Sequence, residues 1–254
     1  MYIQLYIQIH HHMVYYTGRN VYTFQKENNM TEKELCKLFD HTNLKPFLTK
    51  ADFEKLCNEA KELGTAMVAI NSSPVTMCKE LLAGTDVHVG AAIGFPLGQT
   101  TIETKVFETV DAIRNGADEI DYVINIGELQ MGPWASIKDE MTRIVTACRE
   151  GGVLIKVIFE NCYLTDEEKI HLCEIAKEVK PDFIKTSTGM GTGGATVEDV
   201  KLMKKHVGNE VKVKAAGGIR SWETCKAMIE AGAERIGTSS SVKIREEFLA
   251  AGGK

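Results

Sequence analysis

The pattern of apolar and polar positions changes at residue 30 and is regular from there to the end. Short β-branched or apolar runs alternate with longer segments whose apolar residues recur at i, i+3 and i+4, the mark of strands interleaved with amphipathic helices. The runs are LFDHT (38–42), AMVAI (66–70), VHVGAAI (87–93), EIDYVI (119–124), LIKVIF (154–159), DFIKTS (182–187), VKVKAA (211–216) and RIGTSS (235–240). Between them lie stretches such as TKADFEKLCNEAKELG and TIETKVFETVDAIRNGA, each closing on a glycine stop. Eight such units predict one α/β domain over 30–254, a (β/α)8 TIM barrel with a short N-terminal helix before the first strand. An open doubly wound sheet is the alternative, but the G-x-G-x-x-G fingerprint after its first strand is missing.

Residues 1–29 stand apart. They alternate apolar and polar positions, carry His10, His11 and His12 in a row, and lack helical periodicity. With neither a basic n-region nor a continuous apolar core, they do not resemble a secretory signal. The favoured expectation is a tag or a misassigned start with Met30 opening the natural chain; a natural hairpin is the alternative. Three consecutive histidines do not define a folded metal site, so no metal is assigned.

Composition narrows the class. With 44% hydrophobic and 26% charged residues, the usage is that of a globular domain. A net charge of −5 without a basic run gives a phosphate backbone nothing to follow, which argues against nucleic acid as a partner. The seven scattered cysteines include no C-x-x-C pair and read as reduced packing residues, fitting the cytoplasm. No apolar run approaches the 18 or so residues of a membrane span, so a membrane is not expected as a partner either.

In a barrel of this kind, chemistry is confined to the C-terminal ends of the strands. The residues there are Asp40, Thr42, Asn71, Gly94, Asp121, Asn125, Glu160, Lys185, Lys214, Gly217, Gly218, Ser239 and Ser240. Side chains two apart share a strand face, so Glu119 goes with Asp121, Lys156 with Ile158 and Glu160, and Lys212 with Lys214. Charges turned into a barrel must be paired, hydrogen-bonded or neutralised. Any one lysine is explained by a solvated strand end or a structural ion pair. Asp121, Lys185 and Lys214 fall at three independent strand ends, and that agreement favours chemistry.

Two lysines close together form an electrostatic device, because each positive charge lowers the pKa of the other. At an ordinary pKa of about 10.4, roughly one amine in 2,500 is neutral at pH 7; at a pKa of about 7, half are. A neutral lysine attacks a carbonyl to form an imine, and a neighbouring carboxylate can move the protons. Three further segments suit an anion: TGMGTGGAT (188–196), AAGGIRS (215–221) and GTSSS (237–241). Loops after the last strands of such barrels commonly hold phosphate on free backbone N–H groups. Arg220 is placed to reach that phosphate or to pair on the surface.

The motifs DHT (40–42), IGFPLG (93–98), GADEID (116–121), FIKTSTG (183–189), GGATVEDV (193–200), KAAGGIR (214–220) and RIGTSS (235–240) resemble, in order and across 30–250, the deoxyribose-phosphate aldolase family. The resemblance implies a class I aldolase, free of metal and organic cofactor, that reversibly cleaves 2-deoxy-D-ribose 5-phosphate to D-glyceraldehyde 3-phosphate and acetaldehyde. It implies Lys185 as the Schiff-base lysine, Lys214 as the lysine that perturbs it and Asp121 as the proton-relay acid. Gly189, Gly217, Gly218, Ser239 and Ser240 are the implied phosphate contacts, with Thr188 and Arg220 as further expected substrate-binding residues, and a homodimer or other small homo-oligomer is the implied assembly. Ala69 stands where many members carry a cysteine, Met190 replaces a lysine of some members, and AGGK stands in place of a terminal tyrosine that some use. Lys212 shares the face of Lys214 and is expected in a structural or solvent-facing place. Two rivals remain open: another Schiff-base sugar-phosphate aldolase or transaldolase, and a barrel that binds phosphate esters without chemistry.

Overall fold

The structure, a computed structural model, describes residues 6–9, 12–17, 20–25, 30–132 and 134–254. Three strands, β1 (Tyr6–Ile9), β2 (His12–Thr17) and β3 (Asn20–Gln25), pair antiparallel in that order. His10, His11 and the side chain of His12 lie outside the described residues, as do residues 1–5 and 26–29, on which the expected tag or misassigned start partly falls.

The short helix α1 (Glu32–Cys36) precedes eight parallel strands: β4 (Phe39–Thr42), β5 (Met67–Asn71), β6 (His88–Ile93), β7 (Glu119–Val123), β8 (Leu154–Ile158), β9 (Phe183–Lys185), β10 (Lys212–Ala216) and β11 (Arg235–Thr238). They close into a barrel in the order β10-β11-β4-β5-β6-β7-β8-β9, so the open sheet is excluded. Each expected run overlaps one strand; β5 reaches one residue past its run, to Asn71, and β9 stops at Lys185, short of the end of its run.

The helices α2 (Lys50–Leu63), α3 (Val75–Leu81), α4 (Ile102–Arg114), α5 (Ile126–Met131), α6 (Trp134–Gly151), α7 (Asp166–Val179), α8 (Val197–Val207), α9 (Trp222–Glu230) and α10 (Ser241–Ala250) follow the strands. Local chemistry sets their ends. Thr49 and Asp52 form a capping box at the start of α2, and Gly64 closes it at φ 64°, a left-handed turn that costs glycine little. Thr165 and Glu168 repeat the box on α7. Removing one such cap costs about 1 kcal/mol.

The alternation of each strand sorts two environments. Val68, Ile70, Val89, Ala91, Ile120, Tyr122, Val157, Ile184, Val213 and Ile236 belong to the apolar core cluster that takes in the helices. Their neighbours along the same strands, Glu119, Asp121, Lys156, Lys185 and Lys214, are buried and charged. A strand buried on both faces normally reads as a continuous apolar run. Here the inner face departs from that rule.

Candidate active site

Register brings the inner charges together. Asp121 on β7 pairs with Lys156 on β8, and Lys214 on β10 pairs with Lys185 on β9 and, on its other side, with Arg235 on β11. Closure of the barrel between β11 and β4 sets Gly237 beside Asp40. Bases from β8 to β11 thus face acids from β4 and β7 across the interior.

Asp121 is the hub. Its Oδ2 accepts from Lys185 Nζ at 2.8 Å and from Lys214 Nζ at 2.6 Å, while its Oδ1 accepts from Lys156 Nζ at 2.8 Å. Because both amines reach one oxygen, their nitrogens can be no farther apart than those two bonds laid end to end. Lys214 Nζ also lies 2.5 Å from Asp40 Oδ2. Arg235 spans Asp40 Oδ1 at 2.6 Å and Glu119 Oε1 at 3.2 Å, and Lys156 donates to Glu119 Oε2. Gly237 makes room for this arrangement: a Cβ there would stand 3.1 Å from Lys214 Cε and 2.9 Å from Ala216 Cβ.

The ledger of charge is uneven. Four buried bases, Lys156, Lys185, Lys214 and Arg235, share three carboxyl groups, those of Asp40, Glu119 and Asp121, and the half-exposed His88 joins them from the barrel's edge with its Nδ1 2.8 Å from Glu119 Oε1. A buried excess of one positive charge is expensive and is relieved when one base gives up its proton. Arg235 keeps its own, held upward by Asp40 and Glu119 against burial. Lys156 is also held upward, by Asp121, Glu119 and Asp40 acting against burial. Lys214 stands between two carboxylates, whereas Lys185 touches one. Lys185 is therefore the least compensated cation.

The direction of its titration agrees. Burial first, and then the charges of Lys214 and Lys156, push the Lys185 amine down to about 8 against the opposing pull of Asp121. The sequence reading made Lys214 the cause; the structure ranks desolvation above it. Burial alone would raise the Asp121 carboxyl, but the three lysines hold it well below the ordinary carboxylate range.

Lys185 also borders open space. A cavity of about 180 Å³ is walled by Thr42–Lys45 at the end of β4 and beyond, Thr188–Met190 after β9, Ala216–Arg220 at the end of β10 and beyond, and Gly237–Ser239 at the end of β11 and beyond, with Lys185 among its lining residues. Gly217 there has φ 89° and an ideal Cβ only 3.0 Å from Gly194 Cα, so the two loops approach as only glycine permits. Among the described residues, the backbone N–H groups of Gly189, Gly217, Gly218 and Ser239 meet no protein acceptor.

A family model described as DeoC/LacD family aldolase matches residues 34–247. The chain belongs to that family. It is 61% identical over 214 residues to the deoxyribose-phosphate aldolase of Lactobacillus acidophilus, covering 84% of this chain and 90% of that one. The enzyme of the same name from Bacteroides thetaiotaomicron is 55% identical over 220 residues, covering 87% and 92%. Among solved structures, the tetrameric deoxyribose phosphate aldolase from Aeropyrum pernix matches with a TM-score of 0.81 at 32% identity, over 87% of this chain and 93% of that one.

In this family member the structure brings Asp121, Lys185 and Lys214 together and sets Thr188, Gly189, Gly217, Gly218, Arg220 and Ser239 on the cavity wall. Ser240 is not on that wall; it stands at the N-cap position of α10 without a side-chain cap bond, and its N–H donates to Thr238 Oγ1 at 2.9 Å. Other strand-end candidates serve as supports: Asn71 donates to Leu44 O, Gly94 N–H donates to Glu108, and Asn125 caps α5. Lys212 is exposed, with its Nζ 5.5 Å from the centre of the Phe183 ring. Met190 is half-exposed on the wall, and Ala69 is buried beside Thr42.

Sequence reasoning missed Arg235, which it read only as the first residue of the strand run RIGTSS, and Lys45, which lines the cavity just beyond the end of β4. The available signals were a basic residue two before Gly237 on an inner face and a lysine three residues past a strand end. No helix among the described residues is long and apolar enough to cross a membrane.

Proposed function

We propose that this chain cleaves 2-deoxy-D-ribose 5-phosphate reversibly to D-glyceraldehyde 3-phosphate and acetaldehyde through a Schiff base on Lys185. The observation that carries the reading is the surplus cation: four bases on three carboxyl groups, with the least compensated amine facing the cavity. With its amine at about 8, roughly one Lys185 side chain in ten is neutral at pH 7. That amine attacks C1 of the open-chain sugar. Asp121, with Lys214 on the same oxygen, passes the protons that turn the carbinolamine into an iminium ion and water.

The iminium restores the surplus positive charge to the cluster. This makes it a strong electron sink: the C3 hydroxyl loses its proton, the C2–C3 bond breaks, and its electron pair passes through C1 to the iminium nitrogen. The charge is then relieved in the direction of reaction, which stabilises the transition state more than the ground state. D-glyceraldehyde 3-phosphate departs, the enamine is protonated at C2, and hydrolysis releases acetaldehyde. The 5-phosphate is assigned to the free N–H groups of Gly189, Gly217, Gly218 and Ser239, with Arg220 and Lys45 supplying positive charge.

Assembly as a dimer or other small homo-oligomer belongs to the same reading, supported by the tetrameric relative. Residence in the cytoplasm is supported by seven cysteines that are all free.

Borohydride reduction in the presence of 2-deoxyribose 5-phosphate, followed by peptide mass spectrometry, is expected to place the adduct on Lys185 and to leave Lys185→Arg unmodified. An unmodified parent chain that still binds phosphate esters contradicts the reading and favours the non-catalytic barrel. Cleavage of a longer sugar phosphate without acetaldehyde favours the transaldolase-like rival.

A further inference from the structure

Glu160 has an unusual backbone. It follows β8 at φ 57° and ψ 60°, in the left-handed region that glycine normally occupies. The other non-glycine residue with positive φ among the described residues is Lys180, which ends α7, where such a turn is common. A strained conformation persists only where its surroundings over-determine it.

Those surroundings are specific. Glu160 is 2% exposed. Its Oε1 accepts from the Thr188 backbone N–H at 3.1 Å, and its Oε2 accepts from the Thr188 hydroxyl. The Thr188 Oγ1 in turn accepts from Met190 N–H at 2.9 Å. Asn161 N–H donates to Thr186 O at 2.9 Å, tying the same two segments once more. One carboxylate thus holds both donors of Thr188, and Thr188 holds the next turn of the loop.

Two consequences follow. Thr188 has no donor left for a ligand, so its place on the cavity wall is that of a brace. The N–H of Gly189, between the two residues so fixed, is the group left pointing to no protein acceptor.

We infer that Glu160 is a positioning residue for the phosphate end of the substrate: from behind the cavity wall it fixes the Thr188–Met190 loop so that Gly189 presents its N–H to the phosphate. The inference rests on the phosphate cavity assigned above. It makes Glu160 a determinant of the preference for a phosphorylated over an unphosphorylated sugar.

The test is a binding and kinetic split in the full chain. Calorimetric titration with inorganic phosphate, which needs no turnover, is expected to show an affinity about tenfold weaker in Glu160→Ala. Glu160→Gln, which keeps an acceptor for the Thr188 N–H, recovers part of that loss. Glu160→Gly, whose backbone fits φ 57° without a side chain, loses affinity as Ala does and serves if Ala does not fold. With 2-deoxyribose 5-phosphate the loss appears in KM more than in kcat, and the ratio of kcat/KM for the phosphorylated sugar to that for 2-deoxyribose falls in proportion.

Unchanged phosphate affinity alongside a lowered melting temperature overturns the inference and reduces Glu160 to a structural role. An equal loss on both sugars also overturns it. A parent that binds phosphate but cleaves neither sugar defeats the proposed aldolase activity while the titration still decides on Glu160. A parent that binds no phosphate overturns the assignment of the phosphate cavity and the role of Glu160 with it, while borohydride trapping on Lys185 still decides the aldolase chemistry.

Discussion

Two of the places where the described residues bury charge differ in a way that separates support from chemistry. Between α4 and α6, Lys105 donates to Glu140 Oε1 at 2.6 Å and to Val123 O at 2.8 Å, while Glu140 Oε2 accepts from Asn125 N–H at 3.3 Å. Inside the barrel, four bases share three carboxyl groups. Both sites contain a lysine whose pKa burial pushes down, Lys105 in the first and Lys185 in the second. A depressed amine therefore does not identify a nucleophile. The Lys105–Glu140 pair balances one to one, is fully enclosed, and can move a proton internally without changing its net charge. The axial cluster carries a surplus, and the surplus falls on the lysine that lines a cavity.

The largest effect expected from breaking the comparison is that of Asp121→Asn. It removes the carboxylate on which three ammonium groups converge, and kcat/KM is expected to fall by about 10² to 10⁴. Stability at neutral pH should drop by about 3 to 5 kcal/mol, because buried charges lose their partner. The sign of the pH dependence follows from the depressed folded-state pKa of Asp121. Its contribution is present above the unfolded value of about 3.9 and is lost as the pH falls through the lower folded value, so parent and variant converge in acid. Denaturant melts across that range check this, and a constant gap would count against it.

Glu140→Gln sharpens the contrast from the other side. It leaves the Lys105 charge uncompensated and is expected to cost about 3 kcal/mol of stability, whereas Lys105→Met with Glu140→Leu recovers most of that by removing both charges. In each case kcat should fall far less than in Asp121→Asn. A catalytic loss as large as that of Asp121→Asn would show that the lateral pair belongs to the chemistry. Paired melts and turnover assays on the same preparations read both quantities.

What the sequence disclosed and what it hid follow the same division. The eight strands were legible because apolar runs bounded by glycines and capping residues recur around the chain, and Thr49 with Asp52 marks the start of α2 locally. Asp121, Lys185 and Lys214 were legible because period-two alternation tells which residues share a face. Which charges meet was not, since it depends on barrel closure: Asp40 and Arg235 are 195 positions apart. Lys105 and Glu140 sit on two helices 35 positions apart, where each reads as an ordinary surface charge. The left-handed turn of Glu160 is set by Thr188 across 28 positions and has no local signature. Lys45 was not legible because the loop after β4 carries no glycine-rich signature of an anion site, although it forms part of the cavity wall.

The most direct measurement of the central claim is the pH dependence of Lys185 trapping by acetaldehyde and cyanoborohydride, compared between the parent and Lys214→Leu. The lowered pKa means that the reactive amine appears as the pH rises, so the parent should reach half its maximal trapping rate at about pH 8. Removing Lys214 deletes a positive neighbour and frees Asp121 to hold the Lys185 ammonium, so the midpoint should move to higher pH. A parent midpoint near the ordinary lysine value of about 10.4, or the same midpoint in both proteins, would contradict the account.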